Sequence, residues 1–531
     1  MRGSAPFAHA LALGVFALVL TQSKRARATG FSDLGEDIVQ RDKVAVTVDG
    51  YLRTRGTAYG NLDLDRGPTP SGQLLFPVSQ ADPKAQWLTN WDMRLRTDIA
   101  IYAPGQTLAV KVRMDALDNL VLGSLPNGAP SATTSQNAPN QALSLKRAYG
   151  EALLPFGLLA AGRMGSHWGL GILTNGGDCL DCDSGDAADR IALVTPLADH
   201  IFAFAYDFSA IGPLQGTTTQ PNHVVDVEPS VDVHTITFAA MHYKNDASRE
   251  RRRKADRTTV EYGAYFSHRW QNDDIPASYL PVATPIAITP SEVMHRGYQA
   301  NAADAWGRLT FPMARIEFEI AYLQASVDQA SLLPGALLHD PVTSHQLGAA
   351  LESDVGAPQD RFGCGLDMGY ASGDPAPGFG VNTPANAQQP KPGDLDGPQA
   401  SPPNDTRVDN FRFHPDYRID QILFREIIGT VTDAAYFRPH VRARVAQWTS
   451  AQITTSLAGI ASTAVYAAST PGGSAPLGVE LDPQIAYSGR EGLFVALEGG
   501  WLLPLAGLDN PQMHLDAKMA GLVRLRIAFL F

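Results

Sequence analysis

The chain has 531 residues, 44% of them hydrophobic and 18% charged, with a formal net charge of -12 at pH 7. That acidity runs against the basic footprint of nucleic-acid-binding proteins and excludes that class of partner. Three cysteines exclude a fold built on a disulfide framework, and no stretch of eighteen or more apolar residues supplies a membrane helix.

At the amino terminus, Arg2 precedes an apolar run from Ala10 to Leu20 and the small-residue site Ala26-Arg27-Ala28. This reads as a secretory leader over residues 1–28, with the mature chain starting near Thr29. Lys24 and Arg25 so close to the cut are unusual. No cysteine follows closely enough to carry a lipid anchor. A short periplasmic segment over 29–43 is then expected to lead into one unit, 44–531, because no linker separates two cores.

Strand-like alternation begins with Val44, Val46 and Val48 and runs to Tyr59. It returns over 91–103, 107–118, 143–154, 157–164, 190–196, 200–209, 232–244, 258–271, 296–311, 314–326, 343–356 and 361–373. Five more segments follow at 432–448, 450–467, 477–490, 491–505 and 513–531. The count is eighteen, even as single-chain bacterial barrels require; the segments near 157, 190 and 296 are weaker, so sixteen is the alternative. In the last segment Val523, Leu525, Ile527, Phe529 and Phe531 share one parity, while Leu522, Arg524, Arg526, Ala528 and Leu530 share the other. One apolar face and one face carrying arginines suit lipid outside and water inside. The fold class is therefore all-β: a transmembrane, antiparallel up-and-down β-barrel integral to the bacterial outer membrane and its lipid. Gly521, the alternation and the aromatics Phe529 and Phe531 resemble the closing-strand signal that barrel-assembly machinery reads.

Connector lengths alternate as such barrels demand. Short periplasmic turns fall at Pro104-Gly105, Pro155-Phe156-Gly157, Pro196-Leu197-Ala198, Pro312-Met313, Ala357-Pro358-Gln359 and Arg490. Long external connectors span 60–90, 119–142, 165–189, 210–231, 272–295, 327–342 and 374–431. The exception is 245–257, a long connector on the short-turn side, whose basic run Arg249 to Lys254 reads as a solvated hairpin tip, with a partner-binding patch the other reading. The loop 374–431 is rich in Pro, Gly, Asn and Gln up to Asn410. Beyond it, Pro415-Asp416, then Ile419, Ile422, Leu423, Ile427 and Gly429 have helical spacing, which predicts a helix over 415–428 in or over the barrel mouth. An additional strand at 421–430 is the alternative.

With apolar parity facing lipid, the other parity names the lumen wall. Arg53, Arg55, Arg94, Arg96, Lys111, Arg113, Arg524 and Arg526 then form one basic sector, because closure puts the last strand beside the first. Asp49, Asp98 and Asp115 offset part of it. A further row, Arg438, His440, Arg442 and Arg444, follows the long loop. Glu317, Glu319, Glu352, Asp354 and Asp367 turn inward near the opposite side. Facing walls of opposite sign would orient polar solutes and favour anionic ones. The competing reading is that these arginines solvate the lumen or pair with inward acids. Trp91, Tyr102, Trp270, Tyr370, Tyr487 and Trp501 lie near strand ends and read as interfacial anchors.

One loop stands apart: His167-Trp168-Gly169-Leu170-Gly171, then Gly176-Gly177 and the acids Asp178, Asp181, Asp183, Asp186 and Asp189 around Cys179 and Cys182. In an oxidising compartment the two cysteines are expected to form a disulfide loop. They fall short of a zinc set, and the expectation is a solvated, disulfide-pinned loop with no cofactor; Ca²⁺ on Asp178, Asp181, Asp183 and Asp186 is the alternative, although the spacing lacks regular calcium-loop positions. Cys364 falls on lipid parity. No Gly-x-Ser-x-Gly elbow, His-Glu-x-x-His or phosphate-cradling loop is present, and no catalytic residue is assigned.

The stretch Leu145-Lys146-Arg147-Ala148-Tyr149-Gly150-Glu151, the turn at Gly157, Ala161-Gly162-Arg163-Met164 and His167-Trp168-Gly169 resembles the strands and loop of porin-like and alginate-export-like barrels. The same stretch, with Gly176 to Arg190 and Asp416 to Tyr436, resembles an uncharacterised family of Gram-negative outer-membrane β-barrel proteins. The resemblance implies the barrel and a channel role, without substrate residues. The expectation is a passive, non-enzymatic channel for small polar, anionic solutes; the alternative is a non-conducting barrel whose loops bind a partner or envelope component.

Overall fold

A computed structural model describes residues 30–531 apart from 33, 36–41, 85, 106, 124–142, 212–214, 218–223, 227, 276–291, 332–339, 358–359 and 384–387. The expected leader, 1–28, lies outside the described residues. Strands follow the period-two pattern: β1 (Ala45–Gly60), β2 (Trp87–Tyr102), β3 (Leu108–Val121), β4 (Ser144–Leu154), β5 (Gly157–Gly165), β6 (Ala187–Leu197) and β7 (His200–Ala210). A short hairpin, β8 (Gln215–Thr217) with β9 (Val224–Asp226), precedes β10 (Val233–His242) and the helix α1 (Asp246–Lys254). Then come β11 (Thr259–Asp274), β12 (Met294–Thr310), β13 (Ala314–Val327), β14 (Val342–Val355), β15 (Phe362–Ala371), β16 (Ala434–Gln447), β17 (Ala451–Ala464), β18 (Pro476–Gly489), β19 (Leu493–Pro504) and β20 (Ala520–Leu530).

All strands except β8 and β9 join one 18-stranded sheet, antiparallel throughout, in which β1 pairs with both β2 and β20. Closure is sealed where Gly50 and Phe531 exchange backbone hydrogen bonds of 3.0 and 3.1 Å. Closure leaves no sheet edge, which is what lets strands cross lipid. Outward residues are apolar from strand to strand, among them Val46, Phe204, Phe238, Phe318, Val441, Val523 and Phe529. Among the described residues no helix is long and apolar enough to cross a membrane. A sealed barrel with this exterior is an integral outer-membrane protein.

Two expectations for the connectors change. The tip at 245–257 is a helix: the Asn245 side chain accepts the Ser248 N–H, Asp246 lies in the first turn, and basic residues fill the last turn, complementing the helix dipole. Arg249 ties it to the inward Glu261 of β11 at 3.0 Å. The helix predicted over 415–428 is only a six-residue π-helical turn, Leu423–Ile428, and the alternative strand at 421–430 does not form. The spacing of its apolar residues misleads because Ile419, Ile422, Leu423, Phe424, Ile427 and Ile428 are all buried, so no amphipathic face exists. Tyr102 also departs from the interfacial reading: it turns into the lumen and is buried, whereas Trp91, Tyr370 and Trp501 are exposed on the outside.

Candidate functional site

The lumen is crossed by two of its own connectors. The first, 166–186 between β5 and β6, runs from one wall to the other. At its near end Glu319 of β13 accepts the backbone N–H groups of Gly171 at 2.9 Å and Leu173 at 3.3 Å, and the Trp168 indole donates to Asp304 of β12 at 2.9 Å. At its far end it meets the basic sector. Asp181 pairs with Arg55 (3.0 Å), Arg418 (3.0 Å), Arg425 (2.7 Å) and Arg526 (3.6 Å). Asp183 pairs with Arg53 (3.4 Å), Arg55 (2.8 Å), Arg94 (3.6 Å) and Arg418 (2.8 Å). Asp178 pairs with Arg113 and with Arg147 of β4. Backbone carbonyls complete the dock: Leu180 accepts from Arg53, Cys182 from Arg94 and Gly177 from Arg96.

Cys179 and Cys182 are joined in a disulfide, with Cα atoms 5.1 Å apart, as the sequence reading expects. The loop aspartates each turn to arginines, except Asp186, which faces His414 at 3.5 Å and accepts the Asn175 N–H. No group of three or more His, Cys, Asp or Glu side chains arranged to hold a metal ion occurs among the described residues. Burial opposes ionisation of Asp181 and Asp183 more than any one neighbour favours it, but the surrounding arginines together outweigh it, led by Arg425 for the first and Arg55 for the second, so both carboxyls are held well below the usual range.

The second connector is 410–433. Asp416 accepts the N–H groups of Asp183 (2.8 Å) and Ser184 (2.9 Å), locking it onto the first. Glu480 of β18 accepts those of Gln421 (2.9 Å), Ile422 (2.8 Å) and Leu423 (3.1 Å). Arg524 of β20 holds Glu426 at 2.7 Å. Its apolar side chains pack with Phe379, Leu477, Leu502 and Leu522 in a core inside the barrel. A second apolar cluster, around Phe31, Trp168, Met241 and Trp306, fills the sector of β5 to β12.

Every basic residue expected on the wall of β1, β2, β3 and β20 therefore sits at the lumen side, with a partner of opposite sign. The rest of that set is Arg96 on Asp115 (2.8 Å), Lys111 on Glu151 (3.0 Å) and Arg526 on Glu498 (2.6 Å). The acids of β13 to β15 do not face them across open water. Arg315 pairs with Glu317, Glu352 and Asp354, while Asp367 pairs with Arg438 and His440 of the adjoining strand. Cys364 is exposed on the outside.

The residues that β16 contributes stand in a different setting. Inward Gly363, Gly365 and Gly369 of β15 leave room for Arg442, His440 and Tyr436 of β16 to lie across them. Arg442 donates to the carbonyls of Gly356 and Ala357, both at 2.8 Å. Between this row, the two connectors and the floor of β17 and β18 lies a cavity of about 390 Å³ lined by Arg418, Arg425, Arg438, His440, Arg442 and Asp482, among others. Arg147, Arg418, Arg425, Glu480 and Asp482 are absent from the sequence-based set. Glu480 and Asp482 alternate with outward Val479 and Leu481, so the parity rule could have found them.

The fold and the charged, loop-crossed lumen define a porin-like outer-membrane β-barrel. No protein-family model matches the chain, and no curated protein matches its sequence. Among solved structures it is similar to the outer membrane protein OpdK of Pseudomonas aeruginosa, at 11% identity over 92% of this chain and 98% of that one, with a TM-score of 0.44. It is similar to OccK9 (OpdG) of the same species at 12% over 92% and 98%, TM-score 0.45. The outer membrane channel DcaP of Acinetobacter baumannii matches at 10% over 93% and 99%, TM-score 0.38.

Proposed function

We propose that the protein is a passive diffusion channel for small polar solutes that carry an anionic group, and that solute passes beside β16, β17 and β18. The observation that supports this reading most is the Arg438, His440 and Arg442 row against the cavity, with Arg438 on Asp367 and with His440 and Arg442 held over Gly365 and Gly363 of β15. The arginines of β1, β2 and β20 act in this reading as anchors for the connector 166–186, and selectivity falls to β16. The closing strand with Gly521, Phe529 and Phe531 would be presented to barrel-assembly machinery after export directed by residues 1–28. Planar-bilayer recording under a salt gradient tests the reading: anion-preferring steps are expected, and Arg442→Glu should move the reversal potential toward cations.

The filled sector around Phe31 and Trp168 favours the second reading, a non-conducting barrel whose loops bind a partner. Silence in the bilayer from correctly folded protein would select it.

A further inference from the structure

The cavity beside β16 carries charge of both signs, in a fixed order across the sheet. His440 of β16 lies opposite Ala458 of β17, and Ala458 lies opposite Asp482 of β18. His440 and Asp482 thus stand two strand spacings apart, about 10 Å, with a small side chain between them. The neighbouring row, Arg442, Ser456 and Gln484, repeats the order of cation and small polar residue and ends on a neutral amide.

Four buried polar atoms on residues lining this cavity have no hydrogen-bond partner: Nε of Arg418, Nε of Arg438, Oδ1 of Asp482, and Nδ1 of His440, the last lying 3.4 Å from Asp367. Asp482 is only 8% exposed. Of the carboxyl groups around it, Glu480 accepts the N–H groups of 421 to 423 and shares a hydrogen bond with Asp482, which leaves Oδ1 over, and Asp420 accepts those of Phe424 and Arg425. Two cationic donors and one acidic acceptor therefore converge on one space. A buried carboxylate oxygen is stabilised by a charged donor.

We propose that this cavity is a binding site for zwitterionic solutes of the amino-acid class, the carboxylate on Arg418 and Arg438 and the ammonium on Asp482. The inference rests on the channel reading and narrows it. A simple anion satisfies the two guanidinium groups but leaves Oδ1 of Asp482 unmatched, whereas a zwitterion reaches both guanidinium groups and that oxygen and is oriented along the line from β16 to β18.

The test compares 4-aminobutyrate, butyrate and butylamine, which differ only in their charged ends. Binding to the full chain in detergent is measured by titration calorimetry, and block of ion current is measured in planar bilayers. Aminobutyrate should bind about tenfold more tightly than butyrate, and butylamine most weakly. Asp482→Asn should abolish that ratio while leaving butyrate bound, and Asp482→Glu should restore part of it. Ala458→Phe, which fills the floor without changing charge, should weaken both. Equal binding of butyrate and aminobutyrate, or a ratio that Asp482→Asn leaves intact, overturns the proposal, as does absence of binding by all three. Conductance without zwitterion preference rejects the site and keeps the channel. Preference retained in protein that passes no current does the reverse.

Discussion

Asp181→Asn combined with Asp183→Asn should unlock the connector that crosses the lumen. These two carboxylates pair with six arginines, Arg53, Arg55, Arg94, Arg418, Arg425 and Arg526. Arg53 and Arg94 are at most 1% exposed and keep Asp92 and Asp118, both at 2.9 Å, as second partners, so removing the loop carboxylates thins their pairing without leaving the charge bare. Breaking a buried pair from one side costs about 3 to 5 kcal/mol when no other partner remains. Arg55 and Arg418 are shared between the two aspartates, and Arg55 and Arg526 also keep Asp92 and Glu498, so the double change falls well short of two such losses and roughly 3 to 5 kcal/mol is expected. That would raise the population of the undocked loop by about two to four orders of magnitude. The strand ladder is untouched, so heat-resistant migration of the folded barrel on gels should persist. Single-channel recording should then show steps about two- to threefold larger and noisier, as a barrel of this strand number leaves an aqueous channel when unobstructed. Selectivity should shift further toward anions because six arginines lose a neutralising charge. Unchanged step size and reversal potential in protein shown to be folded would refute the docking argument.

Three further outcomes follow from separate contacts. Glu319→Gln turns one of the two oxygens that accept three loop N–H groups into a donor, and hydrogen exchange at Gly171 to Leu173 should accelerate by about ten- to a hundredfold, from a loss of roughly 1.5 to 3 kcal/mol. Burial pushes Asp433, which accepts from Tyr466 N–H and Ser469, up to about 7. Because the folded form binds the proton more tightly than the unfolded one, the closed arrangement of the 465–475 loop should lose stability as pH rises from about 4 to 7. Exchange protection there should fall at least about tenfold between pH 5 and pH 8, and Asp433→Asn should flatten the profile. At Gly365 an added Cβ would collide with Ser353 O and lie 2.5 Å from His440 Cε1, so Gly365→Val should push His440 into the cavity and reduce conductance without releasing the connectors.

The barrel was legible because side-chain alternation is a local property, and all eighteen barrel strands stand where period two puts them, with ends moved by a few residues. The contents of the lumen were less legible. The basic sector and the acidic loop at 178–186 were both visible, but which connector folds inward is decided by complementarity between segments more than a hundred residues apart, such as Arg53 with Asp183. Parity lists a charged wall without showing what neutralises it. Helical spacing at 419–427 failed for a related reason: once a loop lies inside a barrel every apolar residue can be buried, and periodicity stops reporting a face. The helix at 246–254 was missed by a reading that took its basic run for a solvated tip, although Asn245 and Asp246 at its start and the basic residues at its end carry a helix signal.

The most direct test of where solute passes is thiol modification of single cysteines in a Cys364→Ser background. Ser456→Cys sits on the floor of the cavity, and Ala239→Cys sits in the packed sector beside Phe31 and Met241. A charged methanethiosulfonate reagent should reduce current through the first and leave the second unaffected. Block at Ala239→Cys with none at Ser456→Cys would place the path on the opposite side of the crossing connector and contradict the account.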